Sequence, residues 1–359
     1  MGRKKRLRGL LNSCESDIFV ATRRPNQLYL LDHPNPTKII SRPNCFAIIF
    51  GLDKDVVFPG FWISNACRDL LNRCNVIENR MGDRSPNKQL IDFLGSYNHN
   101  KIVVDEPSLG EEIKEAMPNF KVIVKDIGAL LRRKKDEKDL VGLREAARIA
   151  DLGITSAFAT IKPGVSCADI AAEGEYVMRK AGAEDVSMAP AVGQGTYYLD
   201  SAEDVFRTVR EGDMVFIDLA IRVNGYLGDI TRAGIVGRGT AEQRLLLDTV
   251  RRAYSIGYSY MSSGINGDSI YKEVVQCFAQ QGWDDYYTHH LSHGLGLGGD
   301  MPKISRGGSD ILEVGDTLSC EPGIYIPGLG GARIENMIHI GDQVTEELTQ
   351  SPLDLPMGF

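Results

Sequence analysis

The 359-residue chain has 43% hydrophobic and 25% charged residues and a formal net charge of −7. That is an ordinary globular composition, long enough for two domains, since single cores rarely outgrow roughly 250–300 residues. The negative balance argues against nucleic acid as a partner, and no apolar run approaches the ~20 residues of a membrane helix.

The basic start RKKRLRGLL is expected to be the solvated side of a first helix, and no signal-peptide core with a cleavage site follows it. Short β-rich runs then alternate with helical stretches: DIFVAT, CFAIIFG, KDVVFPG, KIVVDE and KVIVKD, with helix-like segments near 61–74, 86–97 and 108–116. This alternation predicts a small α/β domain over residues 1–126. Seven scattered cysteines without a C-x-x-C pair predict reduced thiols in a cytoplasmic protein.

Past residue 126 the texture changes. The charged run RRKKDEKD reads as a solvated helix start and leads into the amphipathic stretch LVGLREAARIADLGITSAFATI, the entry to a second domain over residues 127–359. That domain repeats itself. GVSCADIAAEGEYVMRKAG, from Gly164, returns as GINGDSIYKEVVQCFAQQG, from Gly264, and EGDMVFIDLA returns as VGDTLSCEPG. In the second pair Asp218 falls on Glu321, so the pattern predicts a duplicated helix–helix–strand unit in which each copy gives two carboxylates to a shared site.

Those carboxylates carry the chemistry. Asp218, Asp229, Glu321 and Glu335, with His293, sit in VFIDLA, GDITRA, LSCEPGIYIPG, GARIEN and LSHGLGLG respectively. Burying an ionised carboxylate without a partner costs several kcal/mol or forces it to protonate. Two divalent cations would bring four carboxylates and a neutral imidazole to formal neutrality, which predicts a dinuclear metal site. Asn224-Gly225 is a strong type I′ hairpin signal that sets Asp218 opposite Thr231 and makes Asp229 its diagonal neighbour. The glycines around His293 let the backbone approach closely. Arg333, two residues before Glu335, is expected to orient a ligand carboxylate.

The order and settings of GDITR, SHGLGL, EPGIYIPG and RIEN resemble the pita-bread metallohydrolases, the family of Xaa-Pro aminopeptidases, prolidases, methionine aminopeptidases and creatinase. The resemblance covers the whole chain. Its first third is similar to the creatinase-type amino-terminal domain, which favours the proline-peptidase branch. An α+β architecture is implied, with a small α/β domain followed by a duplicated αα-ββ catalytic domain.

The resemblance also implies residue roles. Asp229 and Glu335 would bridge two metals, Asp218 would hold one, and His293 and Glu321 the other. Manganese or cobalt is favoured, with zinc or iron next. A water between the metals would be the nucleophile, with Glu321 as proton shuttle and His289, four residues before the metal histidine, lining the substrate pocket. A homodimer acting on short peptides is implied as well.

Two expected histidines are replaced. Ser201 and Asp300 stand where the family's substrate-site histidines would fall, although a one-residue deletion would set Asp300 on a neighbouring glutamate instead. The leading expectation is therefore hydrolysis of Xaa-Pro bonds in dipeptides or short peptides. The alternative is a hydrolase or lyase on a small non-peptide, with Asp300 gripping a cationic group. A scaffold with a dead catalytic fold is disfavoured, because all five ligand positions are kept.

Overall fold

The computed structural model describes residues 2–31, 45–59, 74–77, 85–97, 100–198 and 206–358, and element labels below number what those residues form. Ser201 and nearly all of the segment 61–74 lie outside them. The chain divides into two compact units, Met1–Arg132 and Arg133–Phe359.

In the first unit the five β-rich runs form strands β1 (Ile18–Ala21), β2 (Cys45–Phe50), β3 (Val56–Pro59), β5 (Lys101–Val104) and β6 (Lys121–Val124). A two-residue strand β4 (Asn75–Val76) completes a six-stranded sheet of order β4-β3-β2-β1-β5-β6. Ile18, Val20, Ile49, Phe58, Ile102 and Val104 bury one face together with Leu90, Leu94 and Ile113 from two helices, Pro86–Gly95 and Pro107–Ala116. The first helix, Arg3–Ser13, leaves Lys4, Lys5 and Arg8 exposed, as expected, but not Arg3. Arg3 is buried, its guanidinium 4.1 Å over the Tyr29 ring and its Nη1 donating to the Tyr29 carbonyl at 3.1 Å.

The second unit opens with the helix Glu137–Thr160, which starts three residues before the apolar stretch because Asp136 and Asp139 make a reciprocal capping box. The charged run is again not simply solvated. Lys135 is sealed beside Asp300, its Nζ 3.2 Å from Oδ2, and buried Asp139 accepts from the Tyr226 hydroxyl at 2.9 Å.

The duplication is written in the backbone. The helix pair Glu137–Thr160 and Cys167–Lys180 is matched by Ala241–Tyr260 and Gly267–Ala279. Gly164 N donates to Val209 O at 2.9 Å, and Gly264 N donates to Leu312 O at 2.8 Å. Gly212 N donates to Val236 O and Gly315 N to Ile340 O, both at 2.8 Å. Both turn glycines take positive φ, 83° at Gly212 and 95° at Gly315, a region L side chains avoid.

Each copy ends in sheet. β7 (Asp185–Val192), β8 (Met214–Val223) and β9 (Tyr226–Ile235) form one antiparallel set. β10 (Ser292–Leu295), β11 (Gly299–Ile304), β12 (Thr317–Cys320), β15 (Asn336–Ile340) and β16 (Thr345–Glu347) form a second, of order β11-β10-β12-β15-β16, with a separate hairpin of β13 (Gly323–Ile326) and β14 (Gly330–Arg333). A single antiparallel bridge, Thr231 to Glu335, joins β9 to the loop that enters β15.

Arg232 secures that junction. Fully buried, it donates from Nη1 to Glu335 O at 2.7 Å, from Nη2 to Asn336 Oδ1 at 2.7 Å and Ser351 O at 2.7 Å, and from Nε to Pro352 O at 2.9 Å. Removing it strands several buried acceptors. Arg232→Met should therefore cost about 3 kcal/mol or more, read as a melting midpoint lowered by several degrees. A midpoint within a degree of wild type would show that the junction does not depend on these bonds.

Candidate metal centre

The β8–β9 hairpin turns at Asn224 (φ 50°) and Gly225 (φ 84°), the left-handed pair of a type I′ turn. The turn fixes the register, so Asp218 faces Thr231 and Asp229 faces Ala220, and both carboxylates rise on one face of the hairpin. In β10 the chain bulges between His293 and Gly294. A Cβ at Gly294 would meet the Asp300 and Met301 carbonyls at 2.4 Å, so only glycine lets β11 pass this close. Glu321 follows β12 and is held by its backbone N–H donating to Leu291 O at 2.9 Å. Glu335 is held in the same way, its N–H donating to Thr231 O at 3.0 Å.

These separate anchors aim five side chains at one place. His293 Nε2 lies 3.5 Å from both Asp229 Oδ2 and Glu321 Oε1. The ligand atoms of Asp229, His293 and Glu335 come within 4.8 Å of one another, as do those of His290, His293 and Glu321, so either trio could hold a metal ion. Asp218 joins through Thr231, whose hydroxyl stands 3.0 Å from Asp218 Oδ1 and 2.8 Å from Glu335 Oε2. A hydroxyl has one proton, so it serves one of these carboxylates at a time.

Arg333 places Nη2 2.6 Å from Asp218 Oδ2 and donates from Nε to Thr231 Oγ1 at 3.2 Å and from Nη1 to the Tyr325 hydroxyl at 3.3 Å. Tyr325 passes the chain on. His289 Nδ1 is 2.7 Å from the His290 carbonyl and must donate to it, which leaves Nε2 to accept from the Tyr325 hydroxyl at 3.0 Å. Burial pushes the His289 pKa down to about 4, with the Arg333 charge adding to it, so the ring is neutral at neutral pH, as this one-proton arrangement requires.

The electrostatics fit a cation site. Burial, and then the charges of Asp218 and Glu321, push the Asp229 carboxyl well above its usual range. Burial, and then Asp229, Glu321 and Asp218, do the same to Glu335. For Glu321 burial also pushes upward, but the imidazoles of His290 and His293 and the Arg333 charge outweigh it and hold the group below its usual value. Arg333 answers one carboxylate of four. The remaining negative charge, packed around the imidazoles of His290 and His293, is a donor set that hard or borderline divalent ions take.

Other expected residues lie elsewhere. Asp300 is not brought to the cluster: its carboxylate is taken up by Lys135, with both side chains almost completely hidden. The sequence did not single out Thr231, Tyr325, Ser319 or His290. Thr231 and Ser319 each lie two residues from a ligand on the same strand face, the one signal that could have found them. Ser319 Oγ accepts from the His293 N–H at 3.0 Å and donates to Glu321 Oε1 at 2.9 Å. Beside the cluster is a cavity of about 730 Å³ lined in part by Tyr287, His289, His290, Lys303 and Arg306.

Raised folded-state pKa values mean that Asp229 and Glu335 hold protons more tightly folded than unfolded. Their contribution to stability is present below the unfolded values, 3.8 and 4.5, and is lost as pH climbs through the raised ones. Near neutral pH the metal-free protein should release about one proton or more as it takes up divalent ions. Calorimetry in buffers of different ionisation enthalpy counts them, and a count of zero would rule out crowded, protonated carboxylates.

Residues 141–342 match the family described as metallopeptidase family M24. The chain is 32% identical over 255 residues to an Xaa-Pro dipeptidase of Pyrococcus furiosus, covering 69% of this chain and 72% of that protein. It is 34% identical over 227 residues to the uncharacterized peptidase YqhT of Bacillus subtilis, covering 63% of this chain. The matches span less than two thirds of the length of two Bacillus subtilis relatives, 61% and 64%. Among solved structures, an Xaa-Pro dipeptidase from Bacillus anthracis superposes with a TM-score of 0.85 at 24% identity, covering 99% of both chains. Prolidase from Pyrococcus horikoshii gives 0.83 at 23%, covering 98% of both. At these identities the superpositions establish the fold, which is the pita-bread arrangement with its amino-terminal domain. From the span of the family match and the sequence likeness to the dipeptidase, the chain belongs to metallopeptidase family M24.

Proposed function

We propose that this chain hydrolyses Xaa-Pro bonds in dipeptides or short peptides with two divalent metal ions. The observation that carries the reading is the convergence of His293 with Asp218, Asp229, Glu321 and Glu335, held at distances that leave buried carboxylates in want of cations. Residues 127–359 form the catalytic domain and residues 1–126 a creatinase-like amino-terminal domain. Asp218, Asp229, His293, Glu321 and Glu335 would hold the two ions. Manganese or cobalt fits this oxygen-rich set ahead of zinc or iron. When bound, the pair supplies a water of lowered pKa and polarises the scissile carbonyl.

The chain's own groups do the rest. Glu321, fixed where its Oε1 accepts from the Ser319 hydroxyl, takes the proton of the attacking water and returns it to the leaving amine. Arg333 keeps Asp218 ionised and oriented. Neutral His289 offers Nε2 to a substrate N–H in exchange for the Tyr325 hydroxyl. The cavity of about 730 Å³ beside His289 is large enough for a short peptide and is lined by both cations, Lys303 and Arg306, and acids, Asp284 and Asp285, suited to a peptide's two charged ends. A cytoplasmic homodimer without nucleic-acid or membrane partners completes the reading; among the described residues no helix is long and apolar enough to cross a membrane. A small cationic substrate gripped by Asp300 has less support, since that carboxylate is already paired with Lys135.

Metal-free protein reloaded with manganese or cobalt should turn over Xaa-Pro dipeptides. Asp229→Ala and Glu335→Ala should each lose metal and lower kcat/KM by about 10³ or more. A loaded chain that cleaves no Xaa-Pro substrate, long or short, sinks the peptidase reading.

A further inference from the structure

His290 has no part in the five-ligand scheme, yet it stands inside the site. Its ring packs edge-on against His293, with centroids 5.6 Å apart and planes at 73°. Its Nε2 is sealed from solvent and has no hydrogen-bond partner, although Glu321 Oε1 is only 3.2 Å away. The nitrogen is near the carboxylate without being aimed at it. A buried polar atom left this way is costly unless something outside the polypeptide satisfies it.

The spacing says what that is. Ligand atoms bound to one tetrahedral zinc at about 2.0–2.1 Å stand roughly 3.3–3.4 Å apart. His290 Nε2 is 3.2 Å from Glu321 Oε1, and His293 Nε2 is 3.5 Å from the same oxygen. Each imidazole therefore already stands from the Glu321 oxygen at the edge length of a coordination polyhedron, and the three ligand atoms lie within 4.8 Å of one another. His290 also lines the cavity of about 730 Å³ beside the cluster.

We propose that His290 is a third protein ligand of the cation held by His293 and Glu321, giving that position a His₂Glu donor set. The assignment rests on the dinuclear reading and deepens it. The two positions are then unlike: the one at Asp218 is all oxygen, while the one at His290 and His293 is rich in imidazole nitrogen. Nitrogen donors favour zinc or cobalt, and oxygen donors favour manganese. The His290 position should therefore keep zinc in the presence of excess manganese.

Metal-free wild type, His290→Ala and His293→Ala are titrated with cobalt(II) and followed by visible absorption, with zinc affinity measured by competition. His290→Ala should bind two equivalents with a changed ligand-field spectrum, lose about tenfold or more in zinc affinity at one position, and regain the wild-type spectrum with added imidazole. A wild-type spectrum and zinc affinity in His290→Ala, while His293→Ala loses an equivalent, overturns the His290 assignment alone. Two tight equivalents retained by His293→Ala, and by Glu335→Ala titrated in the same way, would overturn the five-ligand reading itself. Should His290→Ala not fold, zinc X-ray absorption of the wild type decides: about one imidazole per zinc supports the assignment, and about half of one overturns it.

Discussion

Four carboxylates cannot share one buried volume unless their charge is cancelled, and this repulsion governs the second unit. Arg333 answers Asp218, and the imidazoles of His290 and His293 stand 3.2 and 3.5 Å from Glu321. Asp229 and Glu335, both buried, are pushed toward the protonated form by burial and by the neighbouring carboxylates. A polypeptide that built this arrangement for stability alone would be more stable with apolar residues there. The cluster makes physical sense as a site poised for cations, and the bonds around it hold it against its own repulsion.

The duplicated fold supplies that holding. Each copy brings a helix pair, a glycine turn and a carboxylate-bearing strand pair, so the two halves meet with ligands facing ligands. The halves meet at the Thr231–Glu335 bridge and where the Leu227 N–H donates to Gly296 O at 2.8 Å, and Arg232 ties the far side of the bridge to the C-terminal segment. Ligand and support alternate along the strand: Asp229 and Thr231 face the site, and Arg232 between strands faces the junction. A single residue of slip would reverse these assignments.

Around the ligands runs a directed chain of donors, from Arg333 to Tyr325 to His289 to the His290 carbonyl. It fixes the His289 tautomer without a charge on the ring. It also couples the orientation of Asp218 at one end to the histidine run at the other, so the substrate wall and the metal centre are set by one network.

The sequence by itself determined much of this. The apolar runs of the first unit gave its strands, because a short continuous apolar run is a local property. The Asn224-Gly225 turn fixed the register of Asp218, and the internal echo set Asp218 on Glu321. The motifs around the five ligand positions carried the family likeness. What only the tertiary structure decided was the fate of charges whose partners are distant in the chain: Lys135 with Asp300, Arg3 with Tyr29, Arg232 with the junction, and His290 with Glu321. A basic or imidazole side chain reads as solvated from its neighbours alone. Whether it is buried depends on acceptors brought to it by folding, and no local pattern encodes their arrival.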